Sequence, residues 1–214
     1  MDRRRYERFL KRPLDILLAT SLLVMLAPLL LAVAIAVRVA LGRPVLFRQL
    51  RAGRYGAPFA VLKFRSMAEG PGDDSLRLGR FGRFLRATAL DELLQLGNVL
   101  RGEMSLVGPR PLPLAYLPHY DRRQRSRLAV RPGLAGSAQA AGRNALPWRD
   151  RLECDATYAQ HVSASGDFRA ALGTLRILLI GHGVTAPGHA TMPRFDSAPV
   201  QVPEPIEEDL NTPG

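Results

Sequence analysis

Ile16-Leu17-Leu18-Ala19-Thr20-Ser21-Leu22-Leu23-Val24-Met25-Leu26-Ala27-Pro28-Leu29-Leu30-Leu31-Ala32-Val33-Ala34-Ile35-Ala36-Val37 contains no charged side chain. At about 1.5 Å of helical rise per residue, it is long enough to cross a bilayer's hydrocarbon core, which takes roughly 20 residues. It is long for a cleavable leader and has no clear small-residue cleavage site before Arg38, so it reads as a membrane segment. The preceding residues are basic (Arg3, Arg4, Arg5, Arg8, Lys11, Arg12), and residues 38–54 carry Arg38, Arg43, Arg48, Arg51 and Arg54 without an acid. With both flanks basic, the preference of Lys and Arg for the cytoplasmic side chooses neither orientation. One solution places both flanks on that side. Pro28 removes a backbone donor near the middle and can bend the helix, while Thr20 and Ser21 can satisfy freed backbone groups. A re-entrant helix that enters and leaves one leaflet would then satisfy the charges. A straight span with a tolerated proline is the alternative.

The chain has 214 residues, enough for one domain with a real core, and a formal charge of +11. Lys11 and Lys63 are its only lysines, so the excess is almost all arginine. Such a surface suits an anionic partner: nucleic acid, anionic lipid or a phosphorylated substrate. Cys154 stands alone, which excludes an internal disulfide framework and a cysteine metal site. His119, His161, His182 and His189 lack ligand spacing, which argues against zinc.

Beyond the membrane segment, Pro44–Arg48 and Phe59–Phe64 are β-rich runs joined through Gly53 and Gly56, the pattern of a hairpin. Lys63 and Arg65 close its second strand, where they are either solvated or within reach of a phosphate. Asp73-Asp74 falls in a Gly/Pro loop and reads as a polar turn rather than a metal site. Arg77, Arg80, Arg83 and Arg86 recur every third residue among Leu78, Phe81, Phe84 and Leu85, a basic amphipathic stretch suited to an anionic membrane face. It leads into Ala87-Thr88-Ala89-Leu90-Asp91-Glu92-Leu93-Leu94-Gln95-Leu96. Thr88 with Asp91 resembles a capping box, and Leu90, Leu93 and Leu94 keep helical spacing, so the pattern predicts a helix from about Thr88. Asp91 and Glu92 then lie in its first turn, where free N–H groups stabilise ionised carboxylates. Ordinary complementation of the helix dipole explains such acids equally well. An ionised Asp, a second carboxylate able to hold Mg²⁺ and arginines nearby also make a phosphoryl-transfer site.

Farther on, Pro109 and Pro111 hold Arg110 in one direction. Arg122 to Arg131 reads as a basic surface or membrane-facing helix. Pro132–Gly136 and Gly142-Arg143-Asn144 read as turns that bring Arg143 within reach of a ligand. Trp148–Ser163 and Phe168–Ile180 read as helices, the second apolar enough to pack on the core or rest on a bilayer. The stretch from Pro187 is proline-rich, ends acidic and carries the signature of disorder.

Taken in order, the motifs resemble the bacterial sugar transferase family, the small monotopic phosphoglycosyl transferases. The matching pieces are Lys11-Arg12-Pro13-Leu14-Asp15, Gly42 through Gln49, Lys63-Phe64-Arg65-Ser66-Met67, Leu90 through Leu100, Met104 through Pro111, Pro132-Gly133 through Gln139, and Gly142-Arg143-Asn144. The resemblance covers about residues 10–184. It implies transfer of a sugar 1-phosphate from a UDP-sugar to a polyprenyl phosphate with release of UMP, at the cytoplasmic face of a bacterial inner membrane. It implies Asp91 as nucleophile, forming a covalent phospho-sugar intermediate, and Glu92 as Mg²⁺ ligand. Arg86 falls on the family's phosphate-binding arginine, and Lys63, Arg65, Arg110 and Arg143 on its basic site positions. UDP-sugar, polyprenyl phosphate and membrane lipid are the expected partners, nucleic acid is not, and a homodimer is left open.

Several positions depart from the family pattern. Ala27 replaces the usual Ser before the membrane proline, Ala89 a Ser, Leu94 a Pro, Glu103 an Asp, and Leu134-Ala135 an Ile-Thr. None carries chemistry. The expected fold is α+β and mostly helical, with an N-terminal re-entrant membrane helix, a small β-hairpin and several amphipathic interfacial helices. Its divisions are a basic lead (1–12), the membrane helix (13–41), a membrane-associated catalytic domain (42–186) and an acidic tail (187–214). The competing reading is a membrane-anchored basic protein that binds anionic lipid or nucleic acid; it leaves Asp91-Glu92 and the Arg110 turn unexplained.

Overall fold

A computed structural model describes residues 5–71, 77–181 and 195. The Asp73–Asp74 loop and, apart from Phe195, the 187–214 tail lie outside the described residues. The chain is mostly helical. A π-helical turn, Tyr6–Lys11, runs directly into helix α1, Arg12–Leu41, which contains Pro28. Strands β1 (Leu46–Ala52) and β2 (Pro58–Phe64) form the expected antiparallel hairpin, with Leu46 opposite Phe64 and Ala52 opposite Pro58. Helix α2, Arg80–Ala87, follows, then a 3-10 turn Leu90–Gln95 and helix α3, Leu96–Arg101.

The segment read as a turn at Pro132–Gly136 instead holds strand β4, Gly133–Ala135, paired in parallel with strand β3, Ser105–Val107. Two glycines explain why. A Cβ on Gly133 would stand 2.1 Å from the Gly108 nitrogen, and one on Gly108 would stand 2.4 Å from the Arg131 carbonyl oxygen. Only bare backbones come this close. The basic run from Arg122 is split into helix α4 (Arg122–Arg125) and a 3-10 turn (Ser126–Ala129). Asp121 opens α4 with a full capping box to Gln124, and Arg127 turns inward rather than to the surface. Helices α5 (Ser137–Ala141), α6 (Trp148–Gln160) and α7 (Ala164–Ile180) complete the chain, α7 being N-capped by Ser163.

Both halves of α1 pack on this domain. Ala19, fully buried, meets Phe59, Val61, Leu96, Val99 and Met104, while Val33 and Val37 meet Phe64 and Leu85. Val24, Met25 and Leu31 between them are exposed. Polar contacts fasten the first end: Arg12 donates to the carbonyls of Val99 (2.7 Å) and Leu100 (3.1 Å), and Asp15 accepts from the Leu106 N–H (3.0 Å). At the other end the Arg65 guanidinium donates to the Leu41 carbonyl. Asp167 of α7 ties in the lead, accepting from Tyr6 and Lys11 and, on its other oxygen, from Tyr158 at 2.6 Å. On α7 itself, Phe168, Leu172, Leu175 and Leu179 recur at helical spacing and are all exposed, an apolar stripe without cover among the described residues. Within the tail, Phe195 seats among Tyr116, Tyr120 and Trp148.

Helix α2 lies directly on the end of β2, because a Cβ on Gly82 would fall 1.9 Å from the Ser66 carbonyl oxygen. Gly82→Ala is therefore expected to push α2 off the hairpin and cost about 1–3 kcal/mol, read as a lower thermal midpoint in detergent.

Candidate active site

The chain turn that presents Asp91 differs from the capping-box expectation. Thr88 closes α2: its hydroxyl reaches back to the carbonyls of Phe84 (2.9 Å) and Leu85 (3.1 Å). Ala89 then adopts the left-handed conformation (φ 54°), and the chain restarts as a 3-10 turn at Leu90. Asp91 and Glu92 still occupy its first turn, as the spacing predicts. Asp91 is 2% exposed.

The neighbours of this pair come from four directions. Lys63 projects from β2. Arg86, at the end of α2, donates to Ser66 Oγ at 3.0 Å. Arg110, between its two prolines, grips Glu92 with both terminal nitrogens, one at 2.9 Å. Arg143, at φ 52°, lies behind Arg110 and has a buried Nη1 without a partner. Arg65 is buried at the end of α1, where it donates to the Leu41 carbonyl and pairs with Glu69 at 3.3 Å.

These charges split the two carboxyls. Burial, reinforced by the Glu92 charge, pushes Asp91 up to about 6, against the pull of Lys63, Arg86 and Arg110. For Glu92 burial also acts upward, but the Arg110 charge and hydrogen bond, with Lys63 and Arg143, bring it down to about 2. Glu92 in turn raises Arg110 above the usual arginine range, while burial depresses Lys63 and Arg143. Two acids of one turn are thus an ionised anchor and a more basic, more nucleophilic carboxylate. The oxygen donors suit Mg²⁺, which takes one or two carboxylates with substrate phosphates rather than a protein cage. No group of three or more His, Cys, Asp or Glu side chains that could form such a cage exists among the described residues.

Gln49, Arg51, Lys63, Glu92, Gln95 and Arg110 frame a small space of about 20 Å³, and the Arg110–Glu92 fork lies in its lining. Arg51 is a site residue that sequence reading passed over as mere flank. Lys63 pairs with Phe47 across the hairpin, so alternation puts Gln49 and Arg51 on the same face. Arg127 was also read as surface; it is 2% exposed, pairs with buried Asp155 at 2.7 Å and donates to the Arg110 carbonyl at 2.6 Å. It holds the backbone from which Arg110 reaches Glu92.

The model of the family described as bacterial sugar transferase matches residues 6–181. The chain belongs to that family. Among curated relatives, the sugar transferase EpsL of Bacillus subtilis is 41% identical over 192 residues, covering 87% of this chain and 95% of the relative. The UDP-glucose:undecaprenyl-phosphate glucose-1-phosphate transferase of Caulobacter vibrioides is 43% identical, covering 79% of this chain and 69% of its own. The UDP-N-acetylgalactosamine-undecaprenyl-phosphate N-acetylgalactosaminephosphotransferase of Aeromonas hydrophila is 35% identical, covering 82% of this chain and 45% of that longer protein. In this sugar transferase the matched stretch contains every residue of the carboxylate cluster.

Asp155→Asn would leave the Arg127 guanidinium buried without its counter-charge, and an arginine cannot shed its proton. The expected loss is about 3–5 kcal/mol of stability, measured by thermal or chemical unfolding.

Proposed function

We propose that the chain is a phosphoglycosyl transferase that moves a sugar 1-phosphate from a UDP-sugar to a polyprenyl phosphate, with Asp91 as the covalent carrier. The carrying observation is the buried, basic Asp91 beside an ionised Glu92 within a ring of Lys63, Arg86, Arg110 and Arg143. The names of the Caulobacter and Aeromonas relatives support the same reaction class.

Burial raises Asp91 above an ordinary carboxylate, which makes its ionised form the more basic of the two carboxylates. An Asp91 oxygen attacks the phosphorus that bears the sugar. The bond from that phosphorus to the bridging oxygen breaks, and UMP departs with the electron pair. A phosphate oxygen of the polyprenyl acceptor then attacks the same phosphorus and Asp91 leaves as carboxylate, so no net proton is needed. Arg86, Arg110, Lys63 and Arg143 neutralise the donor's phosphates and hold them in line. For the donor to enter, Arg110 exchanges Glu92 for a phosphate and frees Glu92. Mg²⁺, held by Glu92 together with donor phosphate oxygens, would supply further charge neutralisation on the diphosphate when bound.

The packing of α1 supports the membrane seat. A helix packed on one domain at both Ala19 and Val37, and exposed between, fits a re-entrant hairpin better than a span whose ends part to opposite faces. The uncovered α7 stripe supports the same side lying against lipid. The nucleophile then sits where a soluble donor and a lipid acceptor meet.

Asp91→Asn should lower UMP release at least about a thousandfold while leaving the thermal midpoint unchanged or higher, because the fold disfavours the Asp91 charge. Wild-type kcat/KM should fall as pH drops through about 6, where Asp91 gains its proton. Wild-type turnover by Asp91→Asn would refute the assignment. For the membrane seat, single cysteines at Arg5 and Arg43, in a Cys154→Ala background, should react with an impermeant reagent from the same side; labelling from opposite sides would mean a span.

A further inference from the structure

A cavity larger than the space beside Glu92 lies elsewhere in the fold. It encloses about 480 Å³ and is lined by Lys11, Arg12, Arg54 and Arg131, by the carboxylates Glu7 and Asp15, and by Ser105. It shares no lining residue with the space beside Glu92. Its volume is within the range of small-ligand sites.

The charges inside are unbalanced. Lys11 is committed to Asp167 and to the Val107 carbonyl (2.9 Å), and Asp15 accepts from the Leu106 N–H. Both terminal nitrogens of Arg12 serve the carbonyls of α3. Arg54 and Arg131 differ. Each donates only its Nε, to the carbonyls of Ala129 (3.0 Å) and Gly102 (2.9 Å), so their terminal nitrogens have no acceptor among the described residues. Arg131 is depressed by burial and by repulsion from Arg12 and Arg54, a sign of cations crowded together. Ser105 adds an independent mark: the residue is 1% exposed, and its Oγ is buried without a hydrogen-bond partner. Buried hydroxyls are normally paired. Unused guanidinium forks, excess positive charge and an orphan hydroxyl around one cavity call for an oxyanion with several acceptor oxygens.

We propose that this cavity is a second anion site, separate from the catalytic cleft, that takes a phosphate-bearing ligand between Arg54, Arg131 and Ser105. It lies beside the first turn of α1, where the apolar helix leaves the polar domain. The phosphate therefore arrives either on a phospholipid headgroup from the membrane or free from solution.

The test uses the full chain in detergent, with Arg86→Gln and Arg143→Gln introduced to weaken phosphate binding in the catalytic cleft. Inorganic phosphate, titrated calorimetrically against chloride of equal ionic strength, should bind at one site. Adding Arg54→Gln and Arg131→Gln should weaken that binding about tenfold or more. Ser105→Ala, which removes no existing hydrogen bond of its side chain, should weaken it severalfold without lowering the thermal midpoint. In nanodiscs, phosphatidylglycerol that competes with phosphate and stays bound to the chain in native mass spectrometry identifies the headgroup as the source. Phosphate binding that is equal with and without phosphatidylglycerol identifies the soluble ion. Absence of phosphate binding in the background variant, or binding undiminished by both the double substitution and Ser105→Ala, overturns the proposal.

Discussion

Two carboxylates on adjacent residues cannot both be ionised inside a protein unless something nearby absorbs the repulsion. Here the Arg110 fork on Glu92 does so, and much of the surrounding architecture keeps that arginine in place. Pro109 and Pro111 limit its backbone, and the Gly133 N–H donates to the Pro109 carbonyl at 2.9 Å. The buried Arg127–Asp155 pair holds the Arg110 carbonyl from behind. Because Glu92 is neutralised in this way, Asp91 can remain buried with a raised rather than prohibitive proton affinity. That contact, with burial and the charges of Lys63 and Arg143, sets the two acids apart.

The apolar helix is subject to a different constraint. Its first turn is fastened by Arg12 and Asp15 to the α3–β3 corner, and its last by Arg65 to the loop after β2. These are polar contacts at the two ends of a greasy rod, and they involve the same domain. Arg65 thus fastens the end of the apolar helix to the domain.

The sequence made some of this readable and hid the rest for physical reasons. The hairpin was legible because two β-rich runs flank a glycine-containing turn. Lys63 and Arg65, at and just beyond the end of that hairpin, could be read only as solvated or within reach of a phosphate, and the family motifs rather than the strand pattern singled them out. The capping box at Thr88 failed because a local motif competed with a left-handed Ala89 that no propensity rule favours. The β3–β4 pairing was invisible because three-residue strands carry no pattern, and its signal was the glycines that permit backbone contact. The buried Arg127–Asp155 pair joins residues 28 apart in sequence, beyond the reach of local pattern. The family motifs supplied what periodicity could not.

The Arg110–Glu92 fork has a consequence for selectivity under the proposed function. A donor that takes Arg110 from Glu92 must offer it an anion at least as good, and must leave Glu92 with a new positive partner. A neutral sugar offers neither. On that reading the pair filters by charge before any contact with the hexose is made.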